Sequence, residues 1–321
     1  MKSDISIRHP PLTQHSRLAD LNLLAVAVIW GVNMSVMKHA INQVDPFSFN
    51  AIRLTLSAIT LGFCAWLENK NARSSGHNQS KLEIPEGRRS KFYDWSMIGL
   101  FSLLTGAVYQ IIFVVGMDRT TAGNTALIMS SVPMWTAVLS FFILSEKLRG
   151  AWLGVLITFA GTVIITLQKG FSVESEYFWG NNLILIAALA WALGAVVSRP
   201  MLKRISPIRL AFYATSLTLP LHFLMPFLTG GSFEHLADPG VVMCWLFSGI
   251  FSTGLAYAMW NLGVKQLGAS AAAVYQNFVP LVAIFVSWQF LDESITLIQI
   301  IGGVMIIAGL LVTRKLRPQN T

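Results

Sequence analysis

Charge is scarce in this chain. Only 12% of its 321 residues are Asp, Glu, Lys or Arg, against about 25% in soluble domains. That shortage excludes an ordinary soluble globular protein. Cysteine is scarcer still, with Cys64 and Cys244 alone. Both fall inside apolar runs, so no disulfide framework is indicated. Acidic residues avoid the middles of those runs. All fifteen Asp and Glu lie in loops, tails or run ends. The chain also lacks H-E-x-x-H, G-x-x-x-x-G-K-[ST] and G-x-S-x-G. Zinc-protease, P-loop and nucleophile-elbow chemistries therefore have no support. No metal and no cofactor is expected.

What the chain does have is apolar length. Hydrophobic residues make up 54%, gathered in runs of about 20, the length that crosses roughly 30 Å of hydrocarbon. Ten runs qualify: 20–39, 47–67, 94–116, 122–144, 150–168, 179–198, 208–228, 241–263, 270–290 and 294–312. The first lacks an A-x-A-like exit and reads as a retained helix. Little chain is left for a soluble domain. Residues 1–19 and 314–321 read as polar tails, and 69–91 as one solvated loop.

The net charge of +8 invites a nucleic-acid partner, but its distribution argues for topology. Nineteen Lys and Arg fall in alternate segments, and Arg53 lies inside a run. The opposite segments hold only Lys38, Arg119 and Lys169. Such a bias in short loops predicts both termini in the cytoplasm. The expected partners are a lipid bilayer and a small molecule. No nucleic-acid partner is expected, and nothing in the sequence supports a homodimer.

The runs repeat. Ser131–Glu146 and Phe278–Glu293 align at an offset of 147, pairing Pro133 with Pro280 and Glu146 with Glu293. Trp30-Gly31 meets Trp191-Ala192 at 161. Gly106 and Tyr109 meet Gly254 and Tyr257 at 148, as Gly154 and Gly161 meet Gly302 and Gly309. Each half, 20–168 and 169–313, thus holds five spans. An odd number inverts the second half, giving a pseudo-two-fold axis in the membrane plane. The expected fold is an all-α membrane protein with ten transmembrane helices in two inverted five-helix repeats. The paired glycines, two turns apart, suit close packing of spans 5 and 10.

Trp30-Gly31, Lys38, Arg53, Pro133 with Glu146, and Pro280 through Asp292-Glu293 to Gly302-Gly303 and Gly309 carry a resemblance. In order, spacing and duplication they resemble an EamA-type member of the drug/metabolite transporter superfamily, over about residues 20–313. The resemblance implies the ten-helix inverted-repeat fold and transport of small metabolites. Amino acids and related compounds are the common cargo, often moved outward. The second half departs from the pattern: Ala192 replaces glycine, and Arg53 has no basic counterpart near Ala214. Any role of Arg53 then belongs to one half.

Several residues are candidates for the substrate route. Proline removes a backbone donor and crowds the preceding turn, so carbonyls are freed near Pro133 and Pro280. Ser130 and Ser131 precede the first proline, and Gln276 and Asn277 the second. Such groups are costly against lipid and should turn inward, either to line a cavity or to satisfy a kink. Trp30 and Asn33, Tyr109 and Gln110, Trp191, then Tyr257, Trp260, Asn261 and Tyr275 sit at similar depths. Aromatic walls with a few amides suit a small amphipathic metabolite.

Arg53 lies about 9 Å along span 2 and should pair or face water. Asp118 and Glu293 are its expected partners. Two roles fit: a structural ion pair, or an outer vestibule shared with Lys38 that attracts carboxylates. Glu146 and Glu293 precede spans 5 and 10, where a carboxylate can cap free N–H groups or gate. His222, between Pro220 and Pro226, suits packing or proton transfer. Without a mid-span carboxylate the expectation is a facilitator or exchanger, or proton coupling through His222 or the hairpin glutamates. The functional reading is an inner-membrane secondary transporter, an exporter by family analogy. A channel, or a membrane-embedded enzyme without a recognisable motif, is the alternative.

Overall fold

The structure, a computed structural model, describes residues 15–74, 88–144, 152–166, 176–267, 275–276 and 278–316. Its described elements are all helical, with no strand among them. Seven helical segments are long and apolar enough to cross a membrane. Three shorter apolar helices, Trp152–Ile165, Phe278–Phe290 and Leu297–Gly309, occupy the runs read at 150–168, 270–290 and 294–312.

The first half comprises α1 (His15–Ile41), α2 (Pro46–Ser74), α3 (Arg88–Phe101), α4 (Tyr109–Asp118), α5 (Ala122–Met129), α6 (Val132–Leu144) and α7 (Trp152–Thr166). The second comprises α8 (Glu176–Ser198), α9 (Pro207–Thr229), α10 (Pro239–Leu246), α11 (Ala256–Leu267), α12 (Phe278–Phe290) and α13 (Leu297–Leu316). Ser102–Val108 joins α3 to α4, and Phe247–Leu255 joins α10 to α11, each as a π-helical stretch. Nothing in the sequence pattern announces these two bulges. They occupy matching places in the two halves and widen the turn just before Tyr109 and Tyr257. Such bulges are frequent at functional sites.

Span 4 is a broken helix rather than a kinked one. Pro133 is the second residue of α6, where no intrahelical N–H is lost. Ser130 and Ser131 close the end of α5. Their hydroxyls donate to the carbonyls of Leu127 and Ile128, each at 2.6 Å. These bonds serve the last turn of α5 and stop short of Met129, whose carbonyl is the one that Pro133 deprives of an N–H four residues on.

The two halves interlock. Helix α1 packs on α11 and α12, while α8 packs on α4 and α6. Helix α2 lies against α9, and α7 against α13. Glycine permits the last contact. A Cβ on Gly161 would lie 2.7 Å from the Gly302 carbonyl oxygen, and one on Gly309 would lie 2.6 Å from that of Gly154. Bilayer lipid is as apolar as a leucine side chain, so helices there associate through close approach instead of hydrophobic drive. Spans 5 and 10 thus pack as expected. Met37, Phe49, Phe113, Met117, Ile128 and Ile184 form a shared core. Outside it, Phe63, Phe142, Phe227, Trp288 and Phe290 stay exposed, as a lipid-facing surface requires. Both cysteines are free.

Candidate functional site

A cavity of about 310 Å³ lies between the halves, within the range of small-molecule sites. Helix α1 supplies Trp30 and Asn33, and α2 supplies Arg53. Tyr109 and Gln110 enter from the first turn of α4. The break between α5 and α6 presents Ser130 and Pro133. From the second half come Trp191 on α8, Tyr257 and Trp260 on α11, and Gln276 and Pro280 around the start of α12. Twelve of the sixteen residues singled out from sequence thus meet around one space.

The aromatic residues form two clusters. Trp30 and Trp260 lie 5.5 Å apart between ring centroids. Tyr109 touches Trp191 at 4.7 Å and Phe113 at 5.3 Å. These are tilted contacts of the favourable kind. The Trp30 indole N–H also donates to the Ser252 carbonyl at 3.1 Å, tying α1 to the second π-helical stretch.

Arg53 differs from expectation. Neither Asp118 nor Glu293 pairs with it. Its guanidinium donates to Gln110 Oε1 at 2.7 Å and to Thr253 Oγ1 at 3.4 Å. Its Nε–H is buried without a partner. The Glu293 carboxylate is engaged elsewhere. Glu293 accepts the N–H groups of Ala122 and Gly123 at 2.8 and 3.1 Å. It therefore caps α5 of span 4, whereas the expected cap was on span 10. Asp118 sits at the end of α4, where Lys38 Nζ donates to the carbonyls of Met117 and Asp118 at 2.9 and 2.7 Å. Lys38 thus caps a helix C-terminus and does not line the cavity.

Three further residues turn away. Ser131 is fully buried in its bond to Ile128. Asn261 Nδ2 donates to the Tyr257 carbonyl one turn back, at 2.9 Å. The Tyr275 hydroxyl donates to Asp20 Oδ1 at 2.7 Å. Each satisfies its polar group locally, so none lines the cavity. Asn277 and Glu146 lie outside the described residues. His222 is buried, with Nδ1 3.2 Å from Asn50 Nδ2 and Nε2 2.7 Å from the Gly106 carbonyl. A neutral Nε2–H tautomer satisfies both contacts.

The sequence reading missed Met34, Met37, Met129 and Thr253, which also line the cavity. A signal existed for Thr253. It precedes Gly254 as Thr105 precedes Gly106, a repeat match extended by one residue. The methionines carry no such mark, because methionine lines cores and cavities alike.

A profile described as the EamA-like transporter family matches residues 17–167 and 178–314. The chain belongs to this family. It is a multi-pass membrane transporter. Among similar proteins, the uncharacterized transporter YoaV of Bacillus subtilis is 26% identical over 295 residues, covering 90% of this chain and 94% of that one. An uncharacterized transporter of Archaeoglobus fulgidus is 23% identical, with 91% and 98% covered. A chloroplastic WAT1-related protein of Arabidopsis thaliana is 23% identical over 90% of this chain and 67% of its own. A crystal structure of a protein superimposes with a TM-score of 0.63 over 94% of this chain and 97% of that one. At 20% identity, that likeness speaks for the transporter's fold alone.

Proposed function

We propose that this EamA-family transporter carries a small amphipathic metabolite, an amino acid or related compound, across the inner (plasma) membrane. Ten membrane helices form two inverted repeats, 20–168 and 169–313, with both termini cytoplasmic. The repeats rock about the shared cavity, exposing it to each side in turn. Export is the direction we assign, by family analogy. The protein has no catalytic role of its own in this reading.

One observation carries the proposal. The cavity is lined by repeat-related pairs: Trp30 with Trp191, Tyr109 with Tyr257, and Pro133 with Pro280. A site built equally by both halves can pass between mirror-related states, because each half makes the same contacts in turn. The sequence of span 4, with its helix broken at Ser130 beside the cavity, agrees with irregular backbone being tolerated only where it meets protein or water.

Aromatic walls with the amides of Asn33, Gln110 and Gln276 suit a ligand with an apolar body and a polar end. In this reading His222, bonded to Asn50 and to the Gly106 carbonyl, packs the fold, and neither it nor the hairpin glutamates relay protons. The carrier then works as a facilitator or exchanger.

Counterflow in proteoliposomes tests the proposal. Vesicles preloaded with single amino acids, nucleosides or small organic acids should accumulate the matching labelled compound saturably, with or without a pH gradient. Flux that rises linearly with concentration, without counterflow, would instead identify a channel.

A further inference from the structure

Arg53 is the one charged side chain among the described residues that line the cavity, and no carboxylate of the described residues answers it. It is 3% exposed. A guanidinium remains protonated under any physiological condition. Burying that charge is costly unless it is paired and hydrogen-bonded. The nearby acceptors are neutral: the Gln110 amide oxygen and the Thr253 hydroxyl. The ion pairs recorded among the described residues lie elsewhere, at Asp94–Arg204, Glu68–Arg209 and His235–Asp238. Buried charges that serve structure alone are as a rule paired in this way. This one faces a cavity and keeps a buried Nε–H unsatisfied.

The missing charge fits a ligand. Five N–H donors in a planar fork match a carboxylate in bidentate geometry. Gln110 and Thr253 hold the fork at the cavity wall. Position 214 of the second half, the counterpart of Arg53, is alanine, so the otherwise duplicated site holds one cation. We propose that the substrate is a small organic monocarboxylate of net charge −1. Its carboxylate neutralises Arg53, and its apolar body lies on Trp30, Trp260 and Tyr257. This rests on the transport reading above and narrows it, from amino acids and related compounds to the anionic members of that class. A cationic ligand would meet Arg53 as a like charge. The ammonium of a zwitterion would find no carboxylate among the described lining residues. A bare halide would leave the aromatic wall unused.

The test holds the ligand skeleton constant and varies only its charge. Full-length protein in detergent micelles is titrated with 3-phenylpropionate, its amide, phenylalanine, phenethylamine and sodium chloride at matched ionic strength. A butyrate, butyramide and butylamine series gives a second skeleton. Tryptophan fluorescence reports occupancy, because Trp30, Trp191 and Trp260 border the cavity. In at least one series the carboxylate should quench saturably with a Kd at least tenfold below those of its amide and amine. Phenylalanine should bind more weakly than phenylpropionate, and chloride should not saturate. Arg53→Lys should keep part of the preference, and Arg53→Gln should abolish it.

Equal binding of acid and amide would overturn the proposal. So would a preference for phenylalanine or an amine, saturable chloride quenching, or no saturable binding in either series. Arg53→Gln that keeps the carboxylate preference would do the same. The ligand comparison runs on the native chain, so a misfolded variant does not remove the test. Counterflow of the bound carboxylate separates the two readings. Selective binding without counterflow keeps the charge inference and strikes carrier transport. Counterflow of acid, amide and amine alike keeps transport and strikes the inference.

Discussion

Glu293 accepts the backbone N–H of Ala122 at 2.8 Å, joining the start of α5 to the turn before α13, 171 residues further on. Its second oxygen takes the Gly123 N–H at 3.1 Å. Beside it, Gln299 Nε2 donates to Asn124 Oδ1 at 2.7 Å. This end of span 4 is thus closed by side chains from the opposite half.

Glu293→Ala removes both acceptors from the first turn of α5. The expected loss is about 1–2 kcal/mol, the worth of a helix cap with a favourable dipole term. Glu293→Gln keeps one acceptor without the charge and should fall between. Thermal unfolding in detergent, followed by tryptophan fluorescence, checks the order. Melting temperatures equal to the native protein in both variants would show the clamp to be idle.

Glycine at the α7–α13 contact should be irreplaceable. Gly161→Leu would force a side chain into the Gly302 carbonyl, which a mere Cβ would already approach to 2.7 Å. Overpacking of this kind costs about 1–3 kcal/mol, and the helices cannot separate without losing their packing. Gly99→Ala is the control. A Cβ there meets nothing within 4 Å, and alanine should stabilise α3 by about 0.5–1 kcal/mol. The yield of monodisperse protein in detergent should fall for the first and hold for the second.

His222→Gln should lower stability without changing the pH profile of transport. The glutamine amide can replace the donor to the Gly106 carbonyl, while Asn50 loses its acceptor. One buried group left unsatisfied costs about 1–3 kcal/mol. Counterflow rates between pH 6 and pH 8 should run parallel for the variant and the native protein. A pH dependence present in the native carrier and absent in the variant would restore His222 to a proton route.

Trp30→Phe keeps an aromatic face toward the cavity but loses the indole bond to Ser252. A severalfold rise in KM is expected, with kcat little changed. Trp30→Ala removes the face packed on Trp260. It should raise KM at least tenfold, since burying an aromatic side chain contributes about 1.5–3 kcal/mol. Trp191→Ala, its repeat mate, should behave alike. Initial counterflow rates against substrate concentration decide this, and unchanged KM in all three variants would remove the aromatic wall from the site.

The helical runs and their duplication were legible because both are one-dimensional. Apolar length marks a span, and a fixed offset marks a repeat. Those two signals also singled out Trp30, Trp191, Tyr109 and Tyr257 before any geometry was known. The facing of individual side chains was not legible. In a soluble helix, polarity separates the inner face from the outer one. In lipid both faces are apolar, so Ser131, Asn261 and Tyr275 looked no different from Ser130 and Gln276.

The sequence by itself determined that this is an all-helical, membrane-embedded chain built from two related halves with prolines at matching places. Hydrocarbon admits no other use for such long apolar runs, since every backbone group must be satisfied within its own segment. Only the tertiary structure decided which groups answer one another. Arg53 sits with Gln110 and Thr253 rather than with an acid, and Glu293 serves α5 instead of its own following helix. Those choices depend on how the halves interlock. Contacts between residues 57 to 200 positions apart leave no trace in local periodicity.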